Sequence, residues 1–362
     1  MKQLPPTELS SSFWPLTSTL ALLVRVWIFV SIQICSVTSE FVGAVVLPHG
    51  DFAFDPTLLP PRTRERTIAD QIAQASKHAG HWLSENIRPD LIFLSTPHGI
   101  KLDNDFGLFM GKYGSGSVEI GGDSYDNNKE HLYNISMRVK LAPETSKDLL
   151  SMLQQSNLNV SGIYSYNDDT DLPLQWGEII PLKMIPNDTA AETMKFHSRR
   201  QHMIWSIPER RYDHAPDMVP ELLRTGNHIM NWIERQPERI AVVISSDLSH
   251  THQAEGPYGY SNASAPFDIA IGQWANGKNL CSCQQSHYLL DIATGLQTDA
   301  MACGFTGLVL LHGMLCSGSK GGRVQGHVLA NANVTYYGMM AATFEVNPPG
   351  YSSLRNQNSI LS

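Results

Sequence analysis

The sequence predicts an α/β fold in which a mixed or mostly parallel central sheet is flanked by helices on both faces. Three observations carry this expectation. The runs Phe41–Leu47, Leu91–Leu94 and Ile240–Ser245 are continuously apolar instead of alternating, as in strands buried on both faces. Segments of helical spacing lie between them. Each run also stops at a polar turn, so strands and helices alternate along the chain.

The elements follow in order. Phe41-Val-Gly-Ala-Val-Val-Leu47 ends at Pro48, which cannot continue a central strand. From Thr67 to Leu83, apolar residues recur at Ile68, Ile72, Ala75, Ala79 and Leu83, the stripe of a helix with one buried face. Leu91–Leu94 is the second buried strand and runs into Thr96-Pro97-His98. Phe106–Lys112 and His131–Lys140 alternate as strands, and Ser146–Gln155 reads as a helix. A helix over Met218–Glu234 leads through Pro237 into the strand Ile240–Ser245. Beyond the loop 246–265, the segments Phe267–Ala275, Tyr288–Leu296 and Phe305–Cys316 read as helical, and Tyr336–Val346 as a closing strand. The stretch 40–346 is expected to be one domain. The tail 347–362, rich in Pro, Gly, Ser and Asn, is expected to be disordered.

Hydrophobic residues make up 42% of the 362 residues and charged residues 17%, enough apolar material for a large core. The net charge is −8, and the basic runs (Arg62 to Arg66, Arg199-Arg200, Arg210-Arg211) are short. A surface that follows phosphates needs clustered Lys and Arg, so no nucleic-acid partner is expected.

Residues 1–39 differ from the rest. Leu20 to Cys35 is a mostly apolar run preceded by Lys2 and followed by small polar residues. It fits the apolar core of a signal peptide better than a full membrane span, although Arg25 interrupts it. A signal peptide or membrane anchor would place the protein in the secretory pathway; otherwise it is cytoplasmic. The sequons at Asn134, Asn159, Asn187, Asn262 and Asn333 agree with secretion and would make it a glycoprotein. Four further cysteines (Cys281, Cys283, Cys303, Cys316) allow two disulfides. Cys281-Ser-Cys283 reads as a surface loop or a local disulfide rather than a metal pair.

Three histidines share one kind of position: His49, His98 and His250 each follow a predicted buried strand. In an open α/β sheet ligands bind beyond the carboxyl ends of the strands. If the three strands run parallel, their imidazoles lie on one rim, ready to hold a metal or move protons near neutral pH.

The motifs around them resemble a known family. Leu-Pro-His-Gly-Asp (47–51), Ser-Thr-Pro-His-Gly-Ile (95–100) and Ser-Ser-Asp-Leu-Ser-His (245–250) occur in the order seen in the LigB-like class III extradiol dioxygenase superfamily. Gly-Pro-Tyr-Gly-Tyr (256–260), Ala-Cys-Gly-Phe (302–305) and Tyr-Tyr-Gly (336–338) are similar to its branch close to Memo-like proteins. The resemblance implies His49 and His98 as metal ligands and His250 as acid/base. It implies Fe(II) as the cofactor, with Zn or Cu as alternatives, and a small catechol-like aromatic substrate with O₂ as partners. Asp247 reads either as the partner that orients His250 or as a cap in the turn.

The chain departs from the ring-cleaving pattern twice. Where those enzymes carry a Glu, the segment reads Asp299-Ala-Met-Ala-Cys303-Gly. Cys303 is then the third ligand, as in Memo-like proteins, or a buried small residue; Asp299 is a further candidate. Where the family has a substrate-facing His, Trp176 stands in Gln175-Trp-Gly-Glu178. An indole cannot shuttle protons but can stack on an aromatic ring, and Tyr258 is expected as a further substrate contact. The leading expectation is an extradiol-type dioxygenase. Its competitor is a Memo-like metal-binding or signalling protein without ring cleavage, and a zinc hydrolase with His250 as base stands third.

Overall fold

Strand β1 (Glu40–Leu47) sets the frame because its two faces enter two different cores. Ala44 and Val46 pack into one apolar cluster while Val45 and Leu47 pack into the other. Strand β2 (Leu91–Thr96) behaves alike, with Phe93 on one side and Ile92 and Leu94 on the other. This is why both runs are continuously apolar. The computed structural model describes residues 40–122, 132–167, 169–186, 200–317 and 324–346. The expectations for residues 1–39, for Asn187 and for the tail 347–362 fall outside these residues.

Between β1 and β2 lies helix α1 (Arg64–His81), with Thr63 capping its start by accepting the Arg66 N–H. Strands β3 (Phe106–Phe109), β4 (Tyr113–Ile120) and β5 (Tyr133–Lys140) follow, then helix α2 (Pro143–Gln155), strands β6 (Val160–Ile163) and β7 (Leu172–Pro173), and helix α3 (Trp176–Lys183). Strand β8 (Gln201–Ser206), helix α4 (Val219–Ile233) and strand β9 (Arg239–Ser245) precede helices α5 (Ser264–Ala275), α6 (Thr294–Ala300) and α7 (Phe305–Leu315). Strands β10 (Val324–Asn333) and β11 (Gly338–Val346) close the chain.

The main sheet has eight strands in the order β10-β11-β1-β9-β2-β8-β3-β6. Its central pairs β1/β9, β9/β2 and β2/β8 are parallel, and β11 and β10 add antiparallel strands at one edge. The mostly parallel sheet between helices is as expected. A second, three-stranded sheet, β5-β4-β7, was not expected as a separate unit. The expected strand Phe106–Lys112 stops at Phe109, and β4 begins a new strand in the second sheet.

Cys281 is bonded to Cys316 at the end of α7, with Cα atoms 5.2 Å apart. The local disulfide considered for Cys281 and Cys283 is therefore not formed; Cys283 is exposed and free at a helix start capped by Ser282. Cys303 is also free. Among the described residues no helix is long and apolar enough to cross a membrane.

Candidate metal centre and active-site cleft

Because β1, β9 and β2 are adjacent and parallel, their carboxyl ends meet on one rim. His49 leaves β1 there, His98 leaves β2 and His250 leaves β9, and all three line one cleft of about 550 Å³. The His49 and His98 rings meet edge to face with centroids 4.8 Å apart.

His49 is held from several sides. Its backbone N–H donates to Asp247 Oδ1 (3.0 Å), and its Nδ1 lies 2.8 Å from Ser245 Oγ. That leaves Nε2 facing Cys303 Sγ at 3.3 Å and Asp247 Oδ2 at 3.4 Å. Gly50 behind it is required by packing: a Cβ there would lie 2.4 Å from the Tyr337 ring. Burial lowers the imidazole pKa of His49 to about 3, with the nearby Arg211 cation adding to the effect. Burial likewise holds His98 well below its usual value. Both rings are thus neutral near pH 7, the state in which an imidazole nitrogen can bind a metal.

Cys303 reaches the rim because the chain reverses after α6. Met301 adopts a left-handed conformation (φ 53°), and Gly304 then donates its N–H to Asp247 O at 3.0 Å. Only glycine fits at 304, since a Cβ would sit 1.8 Å from Ser246 Oγ. Burial, and secondarily the charge of Asp247, pushes the thiol up to about 12. Without a cation the group is therefore a neutral thiol, and a bound metal would have to displace its proton.

The donor atoms of His49, His98 and Cys303 all lie within 4.8 Å of one another. Two donors on one small tetrahedral ion sit about 3.5 Å apart, given bonds of roughly 2.0–2.3 Å. The trio fits an ion of that size with little movement. Its mixed N/S character suits Zn, Cu(I) or Fe.

His250 stands beside the trio. Its Nδ1 is 2.8 Å from Leu248 O, and a carbonyl can only accept, so Nδ1 carries the proton and Nε2 is the basic nitrogen of the neutral ring. Tyr258 and Tyr337 flank the ring at 5.7 Å and Tyr336 at 6.1 Å. Burial lowers its pKa, and the Asp247 carboxylate opposes that fall.

Asp247 does more than either reading anticipated. It fixes the His49 backbone and approaches Nε2, so its nearest bonds are to the metal-facing histidine, while its charge acts on His250. Trp176 lies over His98 at 4.9 Å and is 43% exposed, leaving much of the indole open to the cleft. Tyr258 is half exposed and lines the same cleft. Asp299 is solvent-exposed and outside the trio; its carbonyl accepts from Thr251 Oγ1.

Several residues of this site were not identified from sequence. From sequence, Ser245 is only the last residue of a strand and Tyr336-Tyr337 only part of a Tyr-Tyr-Gly motif. Glu178, fully buried in α3 and accepting the Gln175 N–H at 2.6 Å, is pushed up to about 7 by burial. Asp268 of α5 bonds both the Ser249 N–H (3.0 Å) and His252 Nε2 (2.7 Å), pinning the loop that carries His250. The Ser-x-x-His spacing of Ser249 and His252 is the signal that could have drawn attention to this loop.

Residues 44–340 match the family described as the catalytic LigB subunit of aromatic ring-opening dioxygenase. The chain is similar to Protein CA_C1420 of Clostridium acetobutylicum, with 25% identity over 185 residues. That match takes in 50% of this chain but only 34% of the other protein, so the chain spans about a third of its relative's length. Among solved structures it resembles uncharacterized protein JW3007 from Escherichia coli, at 12% identity and a TM-score of 0.45, covering 83% of this chain and 99% of that one. With a family match across most of its length, the chain belongs to the LigB family of aromatic ring-opening dioxygenase catalytic subunits.

Proposed function

We propose that this protein is a metal-dependent oxidoreductase of the extradiol type, which opens a catechol-like ring with O₂. The observation that carries the reading is the convergence of the His49, His98 and Cys303 donors beside the unprotonated Nε2 of His250. His49 and His98 would hold the metal as neutral imidazoles, and Cys303 would complete the set as a thiolate. A bound Fe(II) supplies the electronic link between ring and O₂ that neither reactant has alone. The ring carbon–carbon bond beside the hydroxyls breaks and both oxygen atoms enter the product, so no other reductant is consumed.

The protein's own residues would orient the ring and move protons. Trp176 and Tyr258 form apolar walls for a flat substrate. His250 Nε2 takes a proton from a substrate hydroxyl and returns it as the ring opens, while Leu248 O and the tyrosines hold its ring in place. With Ser245 Oγ accepting from Nδ1, His49 would present its Nε2 to the metal. Replacing His250 with Gln should leave the metal bound and remove turnover; loss of metal from that variant would make His250 a ligand and this role wrong.

Cys303 and Trp176 favour one second reading. A thiolate in place of a carboxylate is readily oxidised beside O₂, and the indole removes a proton carrier. Both suit a Memo-like metal-binding protein without ring cleavage. Tightly held metal with no O₂ uptake on any catechol would select that reading.

We further propose residence in an oxidising compartment. The Cys281–Cys316 disulfide and the exposed sequon residues Asn134, Asn159 and Asn262 support it. A mobility shift on treatment with an N-glycosidase tests it, and an unshifted protein with reduced Cys281 and Cys316 would contradict it.

A further inference from the structure

A second cavity, of about 500 Å³, lies at the opposite rim of the main sheet from the metal trio. Strands β2 and β8 reach it through Ile92 and His202, the second residue of each, whereas His98 follows the far end of β2. It shares no lining residue with the cleft. Five consecutive residues of β5, Ser136 to Lys140, line it. Successive side chains of a strand point to opposite faces, so such a run borders one space only along the strand's edge. β5 has such an edge, because it is the outer strand of the three-stranded sheet. The last turn of α3 contributes Leu182 and Lys183.

The charge around this space has one sign. Arg138, Lys140, Lys183 and Arg200 line it, and among the described lining residues there is no Asp or Glu. The concentration is notable in a chain of net charge −8. Arg138 is answered by Asp171 at 2.7 and 3.1 Å and lies over the Tyr113 ring. Arg200 donates to Pro186 O at 3.1 Å and to Ser84 Oγ at 3.2 Å, which fixes its guanidinium. His202 adds no charge near pH 7, since burial lowers its pKa to about 4. Lys140 and Lys183 differ from the arginines. Among the described residues neither ammonium makes an ion pair or a hydrogen bond.

Like charges gathered around one space repel, and an anion held between them relieves that repulsion. A single carboxylate would answer one of the two lysines. A phosphate monoester brings roughly −1.5 to −2 of charge in one compact group, and lysine binds phosphate as a point charge. Met137, Leu182 and Ile185 add apolar surface to the same cavity, which suits a carbon skeleton attached to that group. We infer that this cavity binds a small organic phosphate, with Lys140 and Lys183 on the phosphate and Met137, Leu182 and Ile185 against its carbon part. The inference does not depend on the ring-opening reading, because the two sites share no residue.

Calorimetric titration of the full-length protein with phenyl phosphate, inorganic phosphate and succinate, at constant ionic strength, tests it. Phenyl phosphate should bind more tightly than inorganic phosphate, and both more tightly than succinate. The double variant Lys140→Gln/Lys183→Gln should weaken both phosphates by at least about tenfold, the scale of one lost charged contact. Both lysines are exposed, so this variant should keep the parent's melting temperature. Phenyl phosphate should also shield Lys140 and Lys183 of the parent from acetylation, read by peptide mass spectrometry with the exposed Lys147 as reference. Phosphate affinity unchanged in the double variant, succinate binding as tightly as inorganic phosphate, or shielding no greater than at Lys147 would each overturn the inference.

Discussion

Cys303 Sγ lies 3.3 Å from His49 Nε2, although the two residues are 254 positions apart in sequence. The contact joins the end of β1 to the turn before α7, and Gly304 is what permits the approach. Cys303→Ser should keep the fold and weaken metal binding by more than about tenfold, because a hydroxyl is a poor replacement for thiolate. Competition against a chelator measures it; an unchanged affinity would reduce Cys303 to packing.

Ser245 should matter through His49 alone. Removing its hydroxyl frees Nδ1 and lets the ring turn or change tautomer. Ser245→Ala should therefore lower metal affinity about 10–100-fold, the usual cost of losing a hydrogen bond behind a ligand. The same chelator competition serves, with Ser246→Ala as the neighbouring control.

Much of this arrangement was legible in the sequence, and the failures have specific causes. The three strand-end histidines could be placed because β1, β2 and β9 are apolar on both faces and stop at sharp turns. Strand β4 was missed because Tyr-Gly-Ser-Gly-Ser reads as a loop; Gly116 is there because a Cβ would lie 2.0 Å from Leu174 O, a constraint only the folded packing reveals. Strand β10 was missed because it is an edge strand rich in Ala and Asn, paired only with β11. Helix α3 was hidden by its internal Pro181.

Stability should fall in acid partly through His312. Its Nδ1 accepts the Trp274 indole N–H at 3.1 Å, and burial lowers its pKa from 6.5 to about 4. Between those values the unfolded chain binds a proton that the native state refuses. Stability is therefore full above pH 6.5 and is lost as pH falls toward 4, by up to about 3 kcal/mol. Denaturant titrations at pH 7 and pH 4.5 should show this difference shrinking in His312→Gln; an equal difference in both proteins would remove His312 as a cause.

The Cys281–Cys316 bond closes a segment of 35 residues that carries Cys303 within it. Closing a loop of that length stabilises by roughly 3–4 kcal/mol through restriction of the unfolded chain. Mild reduction should lower the melting temperature without lowering metal affinity in the folded protein. A metal affinity that falls in step with reduction would show that the bond also sets the position of Cys303.

The most direct test is an oxygen-electrode measurement on Fe(II)-loaded protein offered a series of catechols, with the ring-opened product followed by absorbance. One O₂ should be consumed per ring opened, and His250→Gln should abolish uptake while retaining iron. Iron held by the parent protein with no O₂ uptake on any catechol would contradict the ring-opening account.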